Sequence, residues 1–117
     1  MSKLSFKSFC MLSTEQVVIG NVTFEPACHN DWHINHADKD GEKILIVTAG
    51  RGYYQEWSKE VQELHPGDIV HIPANVKHWH GTAPDSAFQH LAIEVAGANH
   101  STEWCEPVSD NEYGKLK

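Results

Sequence analysis

Apolar and β-branched residues recur along the chain in short runs broken by turn signals, and almost nowhere at the i, i+3, i+4 spacing of an amphipathic helix. The runs predict strands over Val17 to Phe24, Asp31 to His36, Lys43 to Ala49, Gly52 to Trp57, Glu60 to Leu64, Asp68 to Ile72, His78 to Gly81 and Ala87 to Val95. Turn chemistry separates them: Asp38-Lys39-Asp40-Gly41, Ala49-Gly50-Arg51-Gly52, Trp57-Ser58-Lys59-Glu60 and Pro66-Gly67. Many short strands without intervening helices predict an all-β sandwich or barrel. Only the end of the chain departs from this. Ser109 stands three residues before Glu112, the spacing of a capping box, which predicts one or two helical turns over Ser109 to Leu116. Residues 1–16 carry Phe6, Phe9, Met11 and Leu12, too apolar for a free tail, and are expected to add an edge strand or cover an opening of the barrel.

Side chains alternate across a strand, so His33 and Asn35 share one face while Trp32, Ile34 and His36 take the other. The same rule groups Lys43, Leu45 and Val47, pairs His78 with His80, and sets His90 with Ala92 and Glu94. Ile44, Ile46, Leu91, Ile93 and Val95 then form a second apolar face, so both faces of these strands are expected to be substantially buried. Trp79, Tyr53, Tyr54 and Trp57 read as packing or rim residues, and Trp104 as packing the C-terminal segment on the barrel.

The 117 residues suit one domain spanning 1–117, with no repeat, linker or shift of composition to divide it. Nine Lys and Arg against sixteen Asp and Glu give a formal charge of −7 without a basic stripe, which argues against nucleic acid as a partner. No apolar run approaches the ~20 residues of a membrane-spanning helix, and the opening residues lack a signal peptide's apolar centre, so no membrane partner and a cytoplasmic location are expected. Cys10, Cys28 and Cys105 are widely spaced and form no C-x-x-C, the pattern of reduced thiols. P-loop, G-x-S-x-G, dinucleotide-binding and H-E-x-x-H motifs are all missing, and Cys28 beside His29 would point to opposite faces of a strand.

Histidine is the anomaly. The chain holds nine, which raises the prior on a metal or acid/base site. His33, His36, His78, His80 and His90 are the candidates, whereas His29, His65, His71 and His100 read as solvent-facing residues without a role.

Two stretches, approximately 27–50 and 67–82, resemble the paired motifs of the cupin superfamily. In the first, Ala27 takes a glycine slot, His33 and Asn35 the two histidine slots, Lys43 the Glu or Gln slot and Gly50 the closing glycine. In the second, Gly67, Pro73 and His78 fall in register, with Asn75 replacing glycine and Thr82 replacing asparagine. Asparagine tolerates the left-handed backbone better than most residues, so the fold assignment survives that change. The runs Asn21 to Pro26, Gly52 to Glu56, Lys77 to Gly81 and His90 to Ile93 further resemble small single-domain bacterial cupins, a group that includes manganese-dependent hydroxynitrile lyases and proteins associated with carboxymuconolactone decarboxylases. The resemblance implies a single cupin jelly-roll barrel, or double-stranded β-helix, and a homodimer paired through sheet faces or exchanged edge strands.

It also implies a mononuclear divalent metal (Mn, Fe, Ni or Zn) held by His33, Asn35, His78 and the residue in the Lys43 slot, with His90 as a general base beside it. This chain departs at two slots. An amide oxygen is a weaker transition-metal ligand than imidazole, and an ammonium has no lone pair and repels a cation. Glu42 through a bulge, His36, Asp38 or Asp40 from the loop, or His80 beside His78 are the candidate replacements. The alternative is a metal-free polar cluster in which the Lys43 ammonium occupies the former cation position. The function classes that follow are a metal-dependent lyase, isomerase or oxygenase, a metal-free cupin binding a small polar or anionic ligand through Lys43, and a barrel that serves only as an interaction module.

Overall fold

The computed structural model describes residues 6–13, by their backbone, and 17–116. In chain order the strands are β1 (Phe6–Ser13), β2 (Val17–Phe24), β3 (His33–His36), β4 (Lys39–Asp40), β5 (Lys43–Gly50), β6 (Gly52–Glu56), β7 (Gln62–Leu64), β8 (Ile69–Ile72), β9 (Lys77–Thr82), β10 (Phe88–Val95), β11 (Gly97–Ala98) and β12 (Ser101–Trp104). One short helix, α1 (Asp110–Gly114), follows. Ser109 caps it as the sequence predicts: its Oγ accepts from the Glu112 N–H at 3.1 Å and donates to the Glu112 carboxylate at 3.1 Å.

The strands form two facing five-stranded sheets, in the orders β1-β2-β10-β5-β8 and β12-β3-β9-β6-β7, with β11 and β4 as a small ribbon at one end. Every pairing is antiparallel, and neighbours in space are often distant in sequence, the topology of a jelly roll. The N-terminal stretch supplies an edge strand, β1, on β2. Two expectations need correction. The Asp38 to Gly41 stretch contains β4, whose Lys39 and Asp40 pair with Ala98 and Gly97, and the residues after Val95 continue as β11 and β12, where no strand was expected. Both are short polar segments whose pairing is decided by a partner far along the chain, so local composition carries no trace of it.

The core lies between the sheets. Val22, Phe24, Leu45, Val47, Tyr54, Val70, Ile72 and Phe88 form its main cluster, and burying aromatic and branched side chains like these is worth about 1.5–3 kcal/mol each. A second cluster of Trp32, Tyr53, Trp79, Ala83 and Val108, with Cys105, Tyr113 and Leu116 against it, attaches the C-terminal segment to the outside of the β3-β9-β6 sheet. The expectation that both faces of β5 and β10 are buried is not met. Ile44, Ile46, Leu91, Ile93 and Val95 are only partly covered, because the C-terminal segment packs on the other sheet.

The motif positions where cupins place glycine share one backbone property. Ala27, Gly50, Gly67 and Asn75 all have positive φ, at 65°, 80°, 94° and 68°. Asn75 suits its place twice over, because its side chain accepts from the Ala37 N–H at 3.0 Å and donates to the Ala37 carbonyl at 3.0 Å. Ala27 has no such compensation from its methyl and bears a left-handed strain of about 1–2 kcal/mol.

Candidate functional site

Pairing register assembles the site. Across the inner face of the second sheet, Glu56 of β6 lies beside His78 of β9, His78 beside His33 of β3, and His33 beside Trp104 of β12. The His33 and His78 rings approach to 4.2 Å between centroids, and the Trp104 ring lies 4.9 Å from His33. One pleat further along β9, His80 comes within 5.5 Å of the His90 ring, which the opposite sheet supplies from β10. Beside them opens a cavity of about 310 Å³. His33, His80, His90, Asn30, Asn35, Lys43, Glu94 and Thr102 give it polar groups, and Val18, Val22, Phe24, Leu45, Ala92 and Trp104 much of its apolar wall.

The sequence-predicted residues thus converge: His33, Asn35, Lys43 and His90 line the cavity, and His78 is fully buried behind His33. Lys43 does not project freely into the middle. Its Nζ sits 2.9 Å from the Glu94 carboxylate, across the β5–β10 register. Asn35 accepts at Oδ1 from the Thr102 hydroxyl at 3.2 Å. Of the candidate replacement ligands, His80 lines the cavity with its Nε2 3.1 Å from the Asn30 amide nitrogen, and the others lie elsewhere or are committed. Glu42 lines no part of the cavity, and the irregularity of β5 against β10 falls beside Gln89 and His90, not at Glu42. His36 bonds Glu103 at 2.7 Å, Asp38 accepts from Asn99, and Asp40 lies in β4.

Hydrogen bonds fix the ring tautomers. His33 Nδ1 lies 2.8 Å from the Asp31 carbonyl and His78 Nδ1 2.9 Å from the Val76 carbonyl. A carbonyl only accepts, so both rings carry their proton on Nδ1 and keep a lone pair on Nε2. The buried Nε2 of His78 has no hydrogen-bond partner among the described residues. Those two lone pairs suit a divalent ion. The amide held by Thr102 and the ammonium paired with Glu94 do not, and among the described residues no three His, Cys, Asp or Glu side chains converge to hold one. The residues present therefore do not meet the four-ligand set of the motif.

Burial dominates the electrostatics. It lowers His33 below the ordinary imidazole range and brings His78 and His90 down to about 4, and it holds His80 well below its usual value. Lys43 adds repulsion toward each of these four imidazoles. At neutral pH the site is a set of uncharged rings with the Lys43–Glu94 ion pair on the cavity side and the Lys59–Glu56 pair beside His78.

Three participants escape sequence reasoning. Glu94 is placed by alternation on the face of His90, but its pairing with Lys43 depends on register. Asn30 has no spacing signal at all. Trp104, expected to pack the C-terminal segment, is instead 59% exposed at the cavity, because β12 pairs with β3 and brings it over His33. His29, expected to face solvent, is 2% exposed and lies 4.4 Å from the Tyr113 ring, where the C-terminal segment covers it.

Comparison with known proteins agrees with this architecture. The Cupin domain family matches residues 20–94. The crystal structure of a cupin-like protein from Thermotoga maritima superimposes with a TM-score of 0.82 at 36% identity, covering 98% of this chain and 92% of that one. The DMSP lyase DddQ of Ruegeria pomeroyi shares the fold at a TM-score of 0.69 and 18% identity, over 87% of this chain and 54% of that one. The (R)-mandelonitrile lyase of Granulicella tundricola is 44% identical over 50 residues, which is 43% of this chain and only 35% of the lyase.

Proposed function

We propose, from the premise that this chain belongs to the Cupin domain family, that its barrel binds a small hydroxy or carbonyl compound, with Lys43 in the position where a cupin's motif would place a metal ligand. The observation that carries this reading is the place of Lys43: it lines the cavity, bonds Glu94 at 2.9 Å, and its charge bears on His33, His78, His80 and His90 alike. Because Glu94 balances Lys43 and burial keeps the imidazoles uncharged, the cavity favours a polar molecule of low charge over a strong anion. Its apolar walls suit a compact hydrocarbon body.

Lyase or isomerase chemistry fits this setting. His90 makes no side-chain hydrogen bond among the described residues, the backbone of Leu91 bears on its ring, and the ring is neutral at physiological pH, so its lone pair can accept a proton from a bound hydroxyl or an adjacent carbon. At about 4 its basicity is weak; a negative charge developing on the ligand raises it as the proton moves. The mandelonitrile lyase likeness supports an aldehyde or cyanohydrin as the first substrate to try.

A second reading has its own observation, the adjacent Nε2 lone pairs of His33 and His78, which suit a divalent ion completed by the substrate. One experiment tests the first reading against it. Benzaldehyde binding is measured by calorimetry before and after exhaustive treatment with EDTA. Unchanged affinity is expected, and loss of binding that added Mn²⁺ or Zn²⁺ restores would overturn the metal-free site.

A further inference from the structure

We propose that Asn30 is a positioning residue that locks His80 in its Nδ1–H tautomer, making His80 a fixed hydrogen-bond donor to a hydroxyl oxygen of the molecule bound in the cavity. The proposal deepens the reading of the cavity as a ligand site and rests on it.

Asn30 is tied to His80 at three points. Its backbone N–H donates to the His80 carbonyl at 3.1 Å, its Oδ1 accepts from the His80 backbone N–H at 2.9 Å, and its Nδ2 lies 3.1 Å from His80 Nε2. The second bond orients the amide, because a backbone N–H can only donate and must face the oxygen. The Nδ2 group therefore faces the ring, and it too can only donate. A proton on Nε2 would set two donors against each other across 3.1 Å, so Nε2 keeps its lone pair and the neutral ring carries its proton on Nδ1.

That proton has no partner among the described residues. Nδ1 of His80 is buried without a hydrogen bond, in a side chain that lines the cavity and is itself 8% exposed. Its neighbours are the rings of Phe24, His33, His78 and His90, and none of them makes a hydrogen bond to it. A buried donor left unsatisfied forfeits the hydrogen bond it would make in water, so the fold retains one only at some expense. An oxygen of a bound molecule removes that cost. His90, whose plane is turned 84° from that of His80, makes no side-chain hydrogen bond among the described residues; with the Leu91 backbone bearing on its ring, the neutral imidazole keeps one lone pair available. A hydroxyl both accepts and donates, and so suits the pair: it accepts from His80 and donates to His90. His80 is thereby a poor substitute for the missing metal ligand, since its one lone pair is already occupied by Asn30.

Long-range ¹H–¹⁵N correlation spectra of the histidine rings at pH 7.5 read the tautomer directly in the ligand-free protein. His80 is expected to show a protonated Nδ1 and a bare Nε2. Adding benzyl alcohol should shift the Nδ1 resonance, whereas toluene, which has the same body without the hydroxyl, should leave it in place. In Asn30→Asp the carboxylate accepts from both the backbone N–H and Nε2–H, so the proton should move to Nε2 and benzyl alcohol should bind about fivefold more weakly. A wild-type His80 protonated on Nε2 overturns the lock. A protonated Nδ1 that benzyl alcohol does not move, or that toluene moves equally, overturns the donor role. Both outcomes are read on the wild-type protein and stand even where Asn30→Asp does not fold. The tautomer is independent of metal and of turnover, so its failure is distinct from failure of the Lys43 reading, which the chelator experiment decides.

Discussion

Lys43 and Glu94 lie directly opposite each other on β5 and β10, their charged groups 2.9 Å apart, and together they line two cavities at once. The second cavity, also about 310 Å³, continues from the first past Val18, Asn35 and Thr102 toward His36 and His100. Glu94 is about half exposed, so the pair adds about 1 kcal/mol or less to stability. Its importance is positional. It puts a charge-balanced ion pair where the cupin motif places a metal-binding carboxylate or amide.

Replacing Lys43 by Gln separates the two readings of the site by sign. Removing the ammonium leaves Glu94 unbalanced and restores an amide to the motif slot, so bound Mn, Fe or Zn should rise above the wild-type level in protein grown with all three. Under the same change benzaldehyde affinity should fall, by about fivefold for one lost hydrogen bond. Elemental analysis and calorimetry on the same preparations check both. Benzaldehyde affinity equal to wild type would remove Lys43 from the site.

Acid should destabilise the fold through its buried imidazoles. His78 and His90 titrate near 4 in the folded chain, against about 6.5 in the unfolded one. The unfolded state therefore takes up protons first, and stability is lost as pH falls from 6.5 toward 4, by an upper bound on the order of 3 kcal/mol for each residue. Urea unfolding at pH 7.5, 6, 5 and 4.5 should show the midpoint falling over that window. A His90→Gln variant that still folds should show a shallower fall.

Backbone strain at the first motif is open to relief. Ala27 holds φ at 65°, so Ala27→Gly should raise stability by about 0.5–1 kcal/mol after the glycine's extra unfolded-state entropy is deducted. Gly81→Ala should do the reverse. A Cβ there would lie 2.3 Å from the Cβ of His29 and 2.7 Å from the Cys28 carbonyl, a clash that should cost about 1–3 kcal/mol or more and displace β9 with both its histidines. Thermal unfolding of the two variants, read as opposite shifts in Tm, checks the pair.

The partly covered face of the first sheet should be where two copies meet. Register places Ile19, Ile93 and Ile44 in one row across β2, β10 and β5, and Leu91, Ile46 and Ile69 in the next across β10, β5 and β8. Ile69 is 68% exposed, and such a contiguous apolar face is more readily buried against a copy of itself than left in water. Sedimentation velocity should show a dimer for the wild type and a monomer for Ile93→Asp. A wild-type monomer at tens of micromolar would disprove the pairing.

Much of this molecule was legible from residue order alone. Alternation put His33 and Asn35 on one face and His90 with Glu94 on one face, and the structure gathers all four around the same cavity. Turn chemistry located the strand breaks at Arg51, at Trp57 to Glu60 and at Pro66-Gly67, though not at Asp38 to Gly41, where β4 forms, and the capping residues located α1. These features depend on neighbours within a few positions, where backbone geometry decides which way a side chain points. Tertiary structure decided what depends on partners far along the chain. The pairing of β12 with β3 brings Trp104 to the cavity, the register of β10 on β5 gives Lys43 its carboxylate, and the approach of Asn30 to β9 sets which nitrogen of His80 holds the proton. Each of these is a contact across 50 or more residues, as Asn30 to His80 and Lys43 to Glu94 illustrate. No local pattern encodes such a contact, because its free energy exists only once the two sheets have closed on each other.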